Sequence, residues 1–68
     1  MSAMLRLDVV RGAVQGVEVD PDTGEVLDRL TARHADNKRG RAAAKRDAER
    51  KIRAMGFGWT WQSTKGAP

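Results

Sequence analysis

The sequence contains no cysteine and a single histidine, His34, and these absences exclude several kinds of site. Without cysteine the chain can form neither a disulfide nor the thiolate ligand sets of most structural zinc sites. Nothing in the sequence assembles a nucleophile, a base and an oxyanion donor, so the sequence argues against an enzyme. We therefore predict a non-enzymatic protein that uses no metal and no cofactor.

Long apolar runs are also absent from the sequence. No segment approaches the roughly 20 apolar residues that a helix needs to cross a bilayer. Arg6 and Asp8 interrupt the apolar residues near the N-terminus, so the pattern of a signal peptide is missing. The lack of cysteine suits a reducing compartment. We expect a cytoplasmic protein without a membrane segment.

The length of 68 residues allows one small domain. We assign it to residues 1–62 and expect residues 63–68 to form a flexible tail. A chain this short buries only about 60% of its unfolded surface, so its stability as a monomer is marginal. Stabilisation by a partner, or by a second copy in a homodimer, therefore stays open.

Alternating apolar and charged residues predict strands in the first half of the chain. Leu5, Leu7 and Val9 form the first alternating set, and a second set centres on Val17 and Val19. These patterns predict two strands that each have one buried face.

A turn signal follows the second predicted strand. Proline presets one dihedral angle and glycine accepts a positive φ, so residues 21–24 predict a hairpin loop. The third strand then contains Val26, Leu27 and Leu30, and Val19 is expected to face Val26 across the hairpin.

The second half of the chain predicts a helix from Lys38 to Met55. Asp36 or Asn37 is a suitable N-cap, and Gly56 is a suitable stop. One apolar stripe runs along this helix, and Gly40 is its weak point. The members of the stripe are Ala44, Ala48, Ile52 and Met55.

Three aromatic residues alternate with small or polar residues after the helix. Phe57, Trp59 and Trp61 predict a last strand with its rings on one face. The order is therefore β-β-β-α-β, which predicts an α+β fold: a small antiparallel sheet with one helix packed on one face. Small helix residues opposite large aromatic rings favour that packing.

Charge is divided unevenly along the chain. The first thirty residues contain three arginines and six carboxylates, a net charge of −3, whereas residues 38–53 contain eight cations and two carboxylates, a net charge of +6. At helical spacing, seven of these cations form two adjacent rows. The first row is Arg39, Arg46, Arg50 and Arg53, and the second is Lys38, Arg41 and Lys45.

The basic helix permits two interpretations. Arginine grips phosphate with a planar fork, and a regular row can follow a phosphate backbone. Alternatively the face is only solvated, with the carboxylates of Asp47 and Glu49 paired one turn along to Lys51 and Arg53. The scarcity of acidic residues in this segment favours a binding face.

The tryptophans are a second candidate feature. Exposed aromatic rings beside a basic groove stack the bases of single strands, and Trp61 is the candidate stacking residue because it lies nearer the end of the strand. Packing of both rings in the core is the competing interpretation, because a small domain with three aromatic residues needs them there.

Two functions are consistent with the sequence. The first is a small nucleic-acid-binding protein, for DNA or RNA, whose basic helix contacts phosphates. The second is a protein-interaction module that docks on an acidic surface of a larger host enzyme. In layout and size the predicted fold resembles several small phage proteins that inhibit host enzymes. That resemblance implies an inhibitor or adaptor, without a role for any single residue.

Overall fold

The computed structural model describes residues 2–62, in which one helix covers one face of a five-stranded sheet. The elements are β1 (Ser2–Val10), β2 (Ala13–Val19), β3 (Val26–Arg29), β4 (His34–Ala35), α1 (Lys38–Ala54) and β5 (Gly58–Trp61). The predicted α+β class, with one helix on a sheet, is confirmed. The tail predicted for residues 63–68 lies outside the described residues.

The strand order is β3-β2-β1-β5, and β4 pairs with the start of β2. β1 and β3 are antiparallel to β2, as predicted, and the additional strand β4 is also antiparallel to β2. β5, in contrast, runs parallel to β1, with Ser2 opposite Gly58 and Leu5 opposite Trp61. The sheet is therefore mixed. The physical reason is the crossover: α1 takes the chain over the sheet, which is the connection that a parallel pair needs.

The β2–β3 hairpin has the predicted geometry. Val19 is opposite Val26, as predicted. The pairing register shifts between Val19 and Glu18, which marks a β-bulge. The Asp20 side chain closes the turn by accepting the backbone N–H of Asp22 at 2.7 Å, and Gly24 has a φ of 76°. Proline, aspartate and glycine thus act as local turn chemistry predicts.

Helix α1 begins and ends at recognisable caps. The Asn37 side chain accepts the backbone N–H of Gly40 at 2.7 Å, which satisfies one free donor of the first turn. At the other end Gly56 has a φ of 86°, its N–H donates to Arg53, and the N–H of Phe57 donates to Ile52. This pair of bonds is a Schellman motif, and it stops the helix at Ala54, one residue before the predicted end.

The core lies between α1 and the sheet. Ala44, Ala48 and Ile52 are fully buried, as predicted, whereas Met55 is 44% exposed and does not belong to the core. Trp59 and Trp61 pack against the buried cluster from β5. The members of that cluster are Ala3, Leu5, Leu30, Ala48 and Ile52.

Two glycines set how closely α1 approaches the sheet. A Cβ at Gly16 would lie 2.7 Å from the Cβ of Ala48, and a Cβ at Gly40 would overlap the carbonyl oxygen of Ala35. Gly40, which the sequence presents as a weak point of the helix, is therefore a contact point between α1 and β4. These contacts fix the helix, and they determine which of its faces is left for solvent.

Candidate functional site

Four arginines occupy the side of α1 that faces away from the sheet. At 100° per residue, the positions of Arg39, Arg46, Arg50 and Arg53 are opposite the buried Ala48, and we call these four residues the arginine row. All four are exposed. The row extends about 21 Å along the helix axis, given a rise of about 1.5 Å per residue.

The other predicted row, Lys38, Arg41 and Lys45, lies on the flank of α1; we call it the flanking row. All three residues are exposed. The Lys45 ammonium is 5.3 Å from the centre of the Trp61 ring, which places the flank beside β5. The Arg41 guanidinium is bound by Asp36, with a nitrogen–oxygen distance of 2.7 Å. Of the flanking row, Arg41 is therefore neutralised internally.

The arginine row has no internal counter-charge in the described part of the chain. Within residues 2–62, no carboxylate lies within 4.0 Å of a guanidinium of the row. The carboxylates of the hairpin turn, including Asp20 and Asp22, do not reach it. Four cations on one rigid helix thus remain open to an external anion.

The two carboxylates of α1 point away from the arginine row. The alternative interpretation of the sequence, intrahelical pairs with Lys51 and Arg53, does not describe their contacts. Asp47 lies 3.3 Å from the Nε2 of His34 on β4, and Glu49 binds two side chains on β5. Partners on neighbouring strands replace the exposed helical partners, and the outward face of α1 is left uniformly basic.

Glu49 joins α1 to the last strand. One carboxylate oxygen, Oε2, accepts the indole N–H of Trp61 at 2.6 Å and that of Trp59 at 3.2 Å. Arg53 lies over the Trp59 ring at 5.5 Å, as Lys45 does over Trp61 at 5.3 Å. We call these five residues the tryptophan clamp.

The clamp determines the surroundings of the candidate stacking residue. Trp59 and Trp61 are half-buried on the helix side of the sheet, opposite Ala3 and Leu5 of β1. Each ring packs against the core and has a cation over it, and its N–H is bound. Trp61 therefore lies in a structural cluster, and it does not present a bare ring beside the basic helix.

We expect Glu49→Ala to lower the free energy of unfolding by about 2 kcal/mol, because two half-buried indole N–H groups lose a charged acceptor. Glu49→Gln retains one acceptor oxygen at the same place, so its free energy of unfolding should decrease less. Urea unfolding followed by tryptophan emission measures both variants. Wild-type stability of Glu49→Ala would show that the clamp contributes nothing.

His34 faces a single carboxylate, that of Asp47 on α1. The Nε2 of His34 is close enough to Asp47 for an ion pair but is not aligned for a hydrogen bond. Within residues 2–62, no three His, Asp or Glu side chains are grouped so that they could hold a metal ion. In the same range, no helix combines the length and apolarity that a membrane span requires.

An apolar hollow lies between strands β1 and β2 and the first turn of α1. Its volume is about 280 Å³, and it is lined by Leu7, Val9, Val14 and Arg41. Val9 is 56% exposed there. The hollow is separate from the arginine row and places an apolar surface beside a cation.

Comparisons with known proteins do not assign this arrangement to a family. The structural evidence for a function therefore consists of the arginine row, its lack of carboxylate partners within residues 2–62, and the tryptophan clamp. No protein-family model matches the chain, and neither the curated proteins nor the solved structures gave a match.

Proposed function

We propose that the protein binds nucleic acid through the arginine row, mainly by contacts with phosphate groups. One observation carries the proposal: four exposed guanidinium groups lie on one side of a rigid helix, without a carboxylate within 4.0 Å in residues 2–62. The planar guanidinium fork matches two phosphate oxygens at once. A cation that is already ion-paired would have to give up its carboxylate, whereas none of these four is ion-paired within residues 2–62, and Arg53 contacts only the face of the Trp59 ring.

The distribution of charge supports the same orientation. The acidic residues of the first half belong to strands β1 to β3 and the β2–β3 turn, and the cations concentrate on α1. Such a division makes a polyanion approach with the helix side facing it, and it repels the polyanion from the hairpin side.

The salt dependence of binding tests the proposal. Four phosphate contacts predict a slope of about −3.6 for the logarithm of the association constant against the logarithm of salt concentration on duplex DNA. Raising the salt from about 50 mM to about 200 mM should then weaken binding about 150-fold. Fluorescence anisotropy with a labelled mixed-sequence oligonucleotide measures this slope. No binding at the lower salt concentration would end the proposal.

Docking on an acidic protein surface is the second candidate, and the apolar hollow favours it. Val9 and Leu7 offer an apolar contact beside Arg41, whose guanidinium is paired with Asp36, and apolar contacts next to such ion pairs are what protein interfaces use. A pull-down from nuclease-treated lysate separates the two candidates. A partner that wild type retains and Val9→Asp loses supports docking, and the loss of every partner after nuclease treatment supports nucleic acid.

A further inference from the structure

We infer that the ligand is double-stranded nucleic acid, held by its backbone rather than through its bases; this inference rests on the proposed function. Proteins that bind single strands stack successive bases on exposed aromatic rings beside a basic groove. Single-strand binding would therefore require exposed aromatic rings near the arginine row.

The tryptophan clamp keeps both tryptophans out of that role. A base can reach the outer side of Trp61 only if Lys45 moves away, and it can reach Trp59 only if Arg53 does. Both indoles are also held by Glu49 and packed against the core. Stacking of a base would thus replace existing contacts of the rings with new ones, so it would add little to the free energy of binding.

The remaining aromatic residue does not replace them. Phe57 follows the end of α1 and is 38% exposed. It is the only phenylalanine, and the chain contains no tyrosine. One isolated ring accepts one base, whereas single-strand platforms bind several bases in succession.

Helix α1 also lacks the amide and hydroxyl side chains that recognise adenine. It contains no asparagine, glutamine, serine or threonine, and between its cations the solvent side has only alanines such as Ala42 and Ala43. Amide side chains are the usual partners of adenine in the major groove. The polar side chains of the outward face are thus cations, which can contact phosphates and guanine but provide no amide for adenine.

The rigidity of the arginine row favours a duplex. Arg46 and Arg50 are one helical turn apart, about 6 Å along the axis, and the whole row is held straight by the packing of α1. The phosphates of a duplex are already ordered, whereas a single strand must lose conformational freedom to follow a fixed row. A duplex also releases more counterions for each phosphate contact, about 0.9 against about 0.7.

The test compares one labelled mixed-sequence duplex with its two separate strands, using the full chain at low salt. We expect the duplex to bind at least about tenfold more tightly than either strand. Tryptophan emission should change little on saturation, because neither ring stacks on a base. Trp61→Phe should bind the duplex with an affinity within about twofold of wild type, since the ring does not contact the ligand.

Tighter binding of a single strand, with quenching of tryptophan emission, would overturn the inference and leave the proposed function standing. A loss of single-strand affinity in Trp61→Phe would locate the stacking on that ring. If neither the duplex nor the strands bind at low salt, the proposed function itself fails. Urea unfolding of Trp61→Phe shows whether the variant is folded before its affinity is interpreted.

Discussion

The double variant Arg46→Glu with Arg50→Glu is expected to bind duplex nucleic acid about 100-fold more weakly than wild type at low salt. Each substitution removes a charge-assisted contact worth about 1.5 kcal/mol, and each places a carboxylate in the middle of the arginine row. The slope of the logarithm of affinity against the logarithm of salt concentration should also become shallower by about 2. Both positions are exposed, so the free energy of unfolding should change by less than about 1 kcal/mol.

A matched control separates the row from net charge. Arg11→Glu with Arg33→Glu changes the formal charge by −4, from +4 to 0, as the test variant does. Both control arginines are exposed, lie outside α1 and form no ion pair within residues 2–62. Its affinity should stay within about threefold of wild type, since the row is intact. Equal losses in the two variants would mean that binding follows overall charge and not the arginine row.

Replacing Gly40 with alanine is expected to destabilise the fold by about 3 kcal/mol, although helix propensity alone predicts a gain of about 1 kcal/mol. The added Cβ would overlap the Ala35 carbonyl oxygen, which belongs to the backbone of β4 and cannot rotate away. A domain of this size rarely has more than about 3–5 kcal/mol of stability. Much of the variant should therefore be unfolded, as circular dichroism and urea titration can measure.

Gly12→Ala is the control for that experiment. Gly12 has a φ of 76° and no atom within 4 Å of an added Cβ, so its cost is backbone strain alone, about 1–2 kcal/mol. Gly40→Ala should lose clearly more stability than Gly12→Ala. An unchanged or raised stability of Gly40→Ala would show that α1 does not approach β4 as closely as described.

Local patterns predicted most elements of the fold. Alternation located the strands around Leu5 and Val17, turn residues located the hairpin, and capping residues located both ends of the helix, because each of these features depends on neighbours in sequence. β4 was not predicted, since two residues are too few for a pattern and their pairing with β2 is a tertiary contact. The parallel partner of β5 was missed for a related reason, because alternation identifies a strand and not its neighbour.

The same distinction applies to the candidate site. Helical spacing predicted the arginine row, whose geometry depends on α1 alone. Spacing also suggested partners for Asp47 and Glu49, and these were wrong because His34, Trp59 and Trp61 come from other elements. Gly40 has a low helix propensity in isolation, and only the path of β4 explains why glycine is required there.

The pairing of Ser2 with Gly58 has a consequence for synthesis of the protein. The first hairpin leaves the ribosome early, yet the side chains that cover Ala3 and Leu5 come from Ile52 and the tryptophans of β5. Until those residues have emerged, the nascent chain exposes an incomplete apolar layer, the kind of surface that chaperones bind and that aggregates. Chains truncated before Gly58 should therefore remain incompletely folded and prone to aggregate.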